Sequence, residues 1–453
     1  MAGMLLAAAT AMFSASCEND NINPYDYAGN NGNANQGSTN VIKTAVAEYP
    51  VGSLVWSNDT TLSESVEIPV GTSLYIEPGV TVTCKADVQV PVEVVVLGNL
   101  YCLGTAEKPV TFTSDRKKPE AWGGIICGYN SEEVVLNHVD IAYAGATPTE
   151  SSASFQNKLF KTTIDGGVPA FHFCNVNGKF VIANSFFHDN YNDQTYFTGG
   201  NGVIAGNIFA DSGNAADGGE AINVKAGCQL DVANNVIYNA CTNAFKLSNA
   251  GNSEVVPLTD MTVYNNTIVD CGWRRSKNKK GGSVWVEKAA RPVFVNNLCY
   301  DSRFGLKQPK QDGADMEHCR LTPNYYYAST ATGVEQMGKG ASLGIWFGTD
   351  IKSATAGQFD PLFKLFKQNA GMNINCEVDD PDKGAPLAFD RSWSFHLQQG
   401  SPALSGGVTD FARIFPNGIP FFGMKKVNFL DSANDQNYYF SAPLPQPRFG
   451  AWL

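Results

Sequence analysis

Apolar and polar residues alternate along most of the chain in short runs, punctuated by Gly, Asn and Asp. Ala170-Phe171-His172-Phe173 sets apolar side chains on one face and a polar one on the other, and Ala221-Ile222-Asn223-Val224, Ala244-Phe245-Lys246-Leu247 and Ser283-Val284-Trp285-Val286 repeat the arrangement. A period of two predicts a strand with one buried face. Between these copies runs a second phrase, a β-branched or aromatic residue, a spacer, Asn-Asn, then an apolar residue. It is seen in Val181-Ile182-Ala183-Asn184-Ser185-Phe186, Val232-Ala233-Asn234-Asn235-Val236, Val263-Tyr264-Asn265-Asn266-Thr267-Ile268 and Phe294-Val295-Asn296-Asn297-Leu298. With Asn137, Asn184, Gly206, Asn234, Asn265 and Asn296 taken as equivalent, the phrase recurs after 47, 22, 28, 31 and 31 residues, the first interval fitting two turns of one period. Repeats that cannot close a core alone must stack, so two or three strands per turn predict a parallel β-solenoid with side-chain amides bonded from rung to rung at the corners. The period is too short for the four-stranded blade of a propeller.

The first half carries longer strands. Ser73-Leu74-Tyr75-Ile76-Glu77-Pro78-Gly79-Val80-Thr81-Val82, Val94 to Leu100, Gly104 to Ser114 and Trp122-Gly123-Gly124-Ile125 resemble the opening rungs of right-handed parallel β-helix proteins of the pectin-lyase-like superfamily. Asp360-Pro361-Leu362-Phe363 and Phe395 to Leu404 resemble the closing phrases of bacterial β-helix lipoproteins. The resemblance implies an all-β, right-handed parallel β-helix over residues 41–410, capped near 41–70, with a long loop at 308–345. Residues 411–453 lose the repeat and read as a Pro- and aromatic-rich tail, including Phe415, Phe421, Phe422 and Trp452, folded over one end or flank.

Residues 1–16 form an apolar, Ala-rich run too short to span a bilayer, leading into Cys17, and read as a lipoprotein signal peptide. Ser14-Ala15-Ser16-Cys17 resembles a lipobox, although no Lys or Arg precedes the run, and this implies lipidation at Cys17. Residues 17–40, mostly Asn, Gly, Ala and Gln with Glu18 and Asp20 at the start, read as a flexible tether. The acidic start resembles the export signals of Bacteroidetes lipoproteins and implies a body held outside the outer membrane, a periplasmic face being the alternative. A net charge of −11 opposes general binding of nucleic acid or anionic membrane. Charged residues make up 17% of the chain against roughly 25% in an average domain, while 44 Gly and many Asn agree with turns repeated many times. The 11 Cys fall about one per strand and none forms CxxC, which predicts packed core thiols, with one or two bridges open, rather than a disulfide scaffold or a zinc site.

The alternation turns His172, Asn223, Lys225, Lys246, Trp285 and Glu287 outward, and stacking gathers them in one stripe. An aromatic face with amides, lysines and a carboxylate suits an extended glycan or related polymer; an ordinary solvated face is the bland alternative. The family resemblance implies a second class, a polysaccharide lyase or glycoside hydrolase. A lyase needs a basic side chain, for which Lys225 or Lys246 would serve, and often Ca²⁺ on carboxylates, for which Asp189, Asp193, Asp211, Asp217 and Glu220 lie near in sequence without matching a metal motif. A hydrolase needs paired carboxylates, and the repeats hold no such pair on a strand. No cofactor is expected unless the chain is a lyase. Trp273-Arg274-Arg275-Ser276-Lys277-Asn278-Lys279-Lys280 opposes the global charge, so Arg274 and Arg275 are candidates for an acidic glycan or partner, or simply a solvated loop. A third class is an accessory subunit of an outer-membrane transporter, docking through Tyr325-Tyr326-Tyr327 and Trp346-Phe347.

Overall fold

The computed structural model describes residues 49–159, 166–213, 218–275, 281–338, 345–366, 388–425 and 438–451. Each coil turns its sharpest corner on one residue in the left-handed region. His138, Asn184, Gly206, Asn234, Asn265 and Asn296 stand there with φ of 51°, 52°, 70°, 59°, 50° and 60°. Glycine and short polar side chains bear this conformation at least cost. The next residue turns its side chain into the stack. Asn235 Oδ1 accepts from the backbone N–H of Asn207 at 3.0 Å and from its Nδ2 at 2.9 Å, and Asn266, Asn297 and Asn324 repeat the pair of bonds one coil further on. All five side chains are fully buried. The ladder satisfies polar groups that water cannot reach and fixes the register of adjoining coils.

His138, not Asn137, holds the first corner, because Asn137 pairs with Ala183. Glu133–Asn137 also pairs directly with Lys179–Ala183. The 47-residue interval is therefore one coil with a long insertion between Val139–Ala142 and Phe171–Phe173, rather than two turns of the repeat.

Three parallel sheets result. Sheet A has nine strands from Leu54–Trp56 to Val293–Val295, sheet B eleven from Thr60–Leu62 to Ile351–Lys352, and sheet C nine from Val66–Ile68 to Leu306–Lys307. The chain is an all-β parallel β-helix. Inside, like residues stack: Phe171, Ile222, Phe245, Val284 and Leu306 line the core from sheet C. The rings of Phe180 and Phe197 lie 4.6 Å apart and nearly parallel. Residues 54–68, within the expected cap, already supply one strand to each sheet. The expected loop at 308–345 holds a further rung, Tyr325–Tyr327, and the helix Ala331–Met337. Its three tyrosines are buried, so they are core and not a docking surface. Nine described cysteines are free thiols, eight of them buried; Cys17 and Cys376 lie outside the described residues.

Later segments cover two of the three outer faces. On sheet A, the buried carboxylates Glu133 and Asp231 capture backbone N–H groups of Phe422 and Gly423, and of Ile414 and Phe415, at 2.8–3.0 Å. Ile419, Phe421 and Phe440 then pack on Tyr75, Tyr101 and Tyr264. On sheet B, Phe363, Phe395, Leu397 and Phe449 cover Tyr238, Tyr300 and Tyr325. Among the described residues no apolar cluster of this kind lies over the middle of sheet C, although its outward Asn223 and Trp285 are buried.

Asn266→Ala leaves the Asn235 N–H without its acceptor deep in the stack. It should lower the unfolding free energy by about 3 kcal/mol, read as a lower denaturant midpoint; an unchanged midpoint would remove the ladder from this account.

Candidate functional site

Pairing of the sheet C strands places His172, Tyr196, Asn223, Lys246, Trp285 and Lys307 opposite one another, one per coil, on the outer face. Neighbouring strands lie about 4.8 Å apart, so the stripe is a regular row. Its beginning is closed. The long insertion lays Leu159 and Val168 on Val95 and Ile126, and buried Glu93 pins it by accepting from the Ser154 N–H at 2.8 Å and from its hydroxyl at 2.6 Å. His172 is fully buried there, with Nε2 3.3 Å from the Thr198 hydroxyl, and burial holds its pKa down at about 3. It is a packed neutral imidazole, and the expectation that it meets a ligand is corrected.

From Tyr196 onward Asn223, Lys225, Trp285 and Lys307 are also buried, while Tyr196, Lys246 and Glu287 are half-buried. Corner residues entering sheet C add carboxylates to it. Asp193 Oδ1 accepts from the N–H groups of Gly219 and Glu220 at 2.8 and 2.9 Å, and its Oδ2 takes Asn223 Nδ2 at 2.8 Å. Gly218 and Gly219, with φ of 81° and 92°, let the loop fold this closely; a Cβ on Gly218 would sit 2.0 Å from Asn192 Oδ1. Burial, and next the Asp193 carboxylate, raise the Glu220 pKa, which favours its acid form. Asn243 Nδ2 donates to Glu220 at 3.3 Å.

Two lysines face these groups. Burial and the adjacent Lys246 ammonium push Lys225 down to about 8, and its Nζ stands 5.4 Å from the centre of the Tyr196 ring. For Lys246 burial works the other way from the outcome: the carboxylates of Glu220, Glu287 and Asp193 outweigh it and raise the pKa. Lys246 Nζ lies 3.6 Å from Glu287 Oε1, and Trp285 Nε1 donates to Glu287 Oε2 at 2.7 Å. Burial opposes ionisation of Glu287, yet Lys246 and the Trp285 hydrogen bond hold its pKa low. At the far end burial, then Arg303, lowers Lys307 to about 7, with Nζ 3.0 Å from the centre of the Phe304 ring. The expected stripe therefore exists, but it is a half-closed polar floor and not a solvated surface.

The other candidates are placed elsewhere. Asp189 bonds His188 Nδ1 at 2.7 Å on sheet B. Asp211 accepts from Asn239 and from the Phe389 N–H, tying a later segment to sheet B. Of the five Ca²⁺ candidates, Asp193 and Glu220 lie at the stripe, and Asp217 falls outside the described residues. No group of three or more His, Cys, Asp or Glu side chains placed to hold a metal occurs among the described residues. Arg274 spends its guanidinium on Asn239 and the carbonyls of Ser212 and Gly213, and is a structural clamp rather than a ligand contact. Arg275 is half-buried, its carbonyl accepting from Arg303, and residues 276–280 lie outside the described part. Tyr196 and Lys307 were missed as members of the row. Thr195-Tyr196-Phe197 and Gly305-Leu306-Lys307 carry the same placement signal, a polar or amphipathic residue beside apolar strand positions, but in weaker phrases.

Residues 51–157 match the model of the pectate-lyase like beta helix domain. Together with the three stacked parallel sheets, this match supports a pectate-lyase-like parallel β-helix. No curated protein and no solved structure matches the chain.

Because Lys225 has a folded pKa near 8 against 10.5 when unperturbed, its buried ammonium weighs against folding up to about pH 8. That penalty fades as pH rises toward 10.5. The native chain should thus gain stability relative to Lys225→Met over this range, read as denaturant midpoints against pH; parallel profiles would show that Lys225 titrates normally.

Proposed function

We propose that the sheet C face binds an extended glycan bearing carboxylate groups. The observation that carries this reading is the register-locked row of Tyr196, Asn223, Lys246 and Trp285 with Lys225 beside it, in which Tyr196 and Lys246 are only half-buried. Asn223 Oδ1 is buried and has no hydrogen-bond partner among the described residues. A hydroxyl donor would satisfy it, at a site where an orphaned acceptor costs about 1–3 kcal/mol. Lys225 and Lys246 set two basic groups along the row for the carboxylates of an anionic chain. Tyr196 offers a partly open ring for the apolar face of a pyranose, and Trp285, 7% exposed, shows only the margin of its ring.

One observation favours catalysis as a second reading. A lysine held near 8 is poised to act as a base near neutral pH. In its amine form, Lys225 Nζ would take the proton from the carbon beside a uronic carboxylate. The C–H electron pair forms the ring double bond, the glycosidic C–O bond breaks, and the departing oxygen takes a proton from a group such as Glu220. No step of this scheme runs through Ca²⁺. The lipobox-like Ser14 to Cys17 supports attachment of the body to the outer membrane, where polymers outside the cell would reach it.

The purified chain should be retained on at least one uronate polymer, and Lys246→Ala with Trp285→Ala should weaken retention about a hundredfold, an aromatic and a charged contact being worth about 1.4 kcal/mol each. Unchanged retention would remove the sheet C reading. In the same samples, absorbance of unsaturated uronide that vanishes with Lys225→Met would establish the lyase reading, and retention without product would leave binding alone.

A further inference from the structure

A cavity of about 600 Å³ lies away from the stripe, where the first coils turn from sheet C into sheet A. Its walls come from successive corners at Gly71, Asn99, Tyr129 to Glu133 and Asn175 to Lys179, with Phe422 of the C-terminal segment closing one side. Small-ligand sites span about 300–1,000 Å³, so the size suits a compact molecule.

The floor is rigid. Asn99 Oδ1 accepts from the N–H groups of Glu132 and Glu133 at 3.2 and 2.9 Å. Asn175 Nδ2 donates to the Ser131 carbonyl, and its Oδ1 takes the Asn177 N–H. Glu133 is saturated by Tyr101, Lys179 and the N–H groups of Phe422 and Gly423. The same bonds that dock the tail therefore set the Phe422 wall in place, and little ordering is left for a ligand to cause.

What remains available is specific. Tyr129 and Phe422 are 60% and 53% exposed, unusual for large rings in this chain, with Lys179 Nζ over one face of Phe422 at 4.8 Å from its centre. The side chains of Asn130, Asn177 and Glu132 are exposed and make no hydrogen bond to the described residues. Amides donate and accept together, as sugar hydroxyls do. An aromatic wall takes the C–H face of a pyranose. The Lys179 charge is answered by Glu133 at 3.2 Å, which leaves Glu132 as the unpaired charge of the lining. A carboxylated or sulfated sugar would be repelled.

We infer that this cavity is a second carbohydrate site, which takes an uncharged pyranose unit at the corner between sheets C and A, separate from the sheet C row. It differs from the proposed function in place, in residues and in the charge of its ligand, and it stands without that reading.

The test uses the purified full chain with short neutral gluco-, manno- and galacto-oligosaccharides, followed by saturation-transfer NMR and calorimetry. At least one should bind at millimolar concentration or below. Tyr129→Ala, and Asn130→Ala with Asn177→Ala, should each weaken it about tenfold or more, and their exposure leaves the fold intact. Trp285→Ala should change nothing here. Absence of binding by all three classes, indifference to Tyr129→Ala, or loss with Trp285→Ala would each overturn the inference. Retention on uronate polymer, measured in the same preparations, reports on the sheet C reading separately.

Discussion

Register between coils is the constraint from which the other features follow. A solenoid whose strands slipped by one residue would turn its core outward and its polar row inward. Here a left-handed corner residue followed by a buried amide prevents the slip, because each Asn must accept two bonds from its neighbour in the preceding coil. The strands on either side inherit that alignment. Tyr196, Asn223, Lys246 and Trp285 consequently stand opposite one another, and Asp193 and Glu287 then hold Asn223, Lys246 and Trp285 in place.

Coverage then decides which face is left for a ligand. All three sheets present polar or aromatic side chains outward, yet they meet different fates. On sheet A, Glu133 and Asp231 point at backbone N–H groups and so become anchors for the tail. On sheet B, Asp140 and Asp189 bracket His188, the pair lifting its pKa to about 9 against the opposing effect of burial, and Arg391 stacks on Phe186 while reaching Asp140. These charges are consumed in holding later segments. On sheet C, the lysines and carboxylates mainly answer one another, and Asn223 keeps a free acceptor. Similar residue types thus serve assembly on two faces and, in the function proposed above, recognition on the third.

The fold was legible in the sequence because both its signals are local: a two-residue alternation and an Asn-Asn corner can be read from a few neighbouring positions. The outward row was legible for the same reason. Burial of that row was not, since what shelters it comes from the insertion after Ala142 and from corner loops whose course no alternation specifies. His172 shows the limit, being correctly placed on the outer face and yet fully buried, next to the strand on which Leu159 and Val168 pack. The Asp193 and Glu220 pair was likewise hidden, since 27 residues separate two side chains that one coil brings together. Arg274 read as a recognition residue because a run of basic side chains says nothing about the carbonyls waiting nearby.

The most direct test of the central claim is amide hydrogen exchange, followed by mass spectrometry, on the chain with and without a soluble uronate polymer. Protection should rise in the corner and strand segments 190–196, 218–225 and 243–248, which carry the sheet C row, and should stay unchanged in segments 394–403 and 408–424, which cover sheets B and A. Protection confined to those covering segments, or none anywhere while the polymer is retained, would contradict the assignment of the binding face.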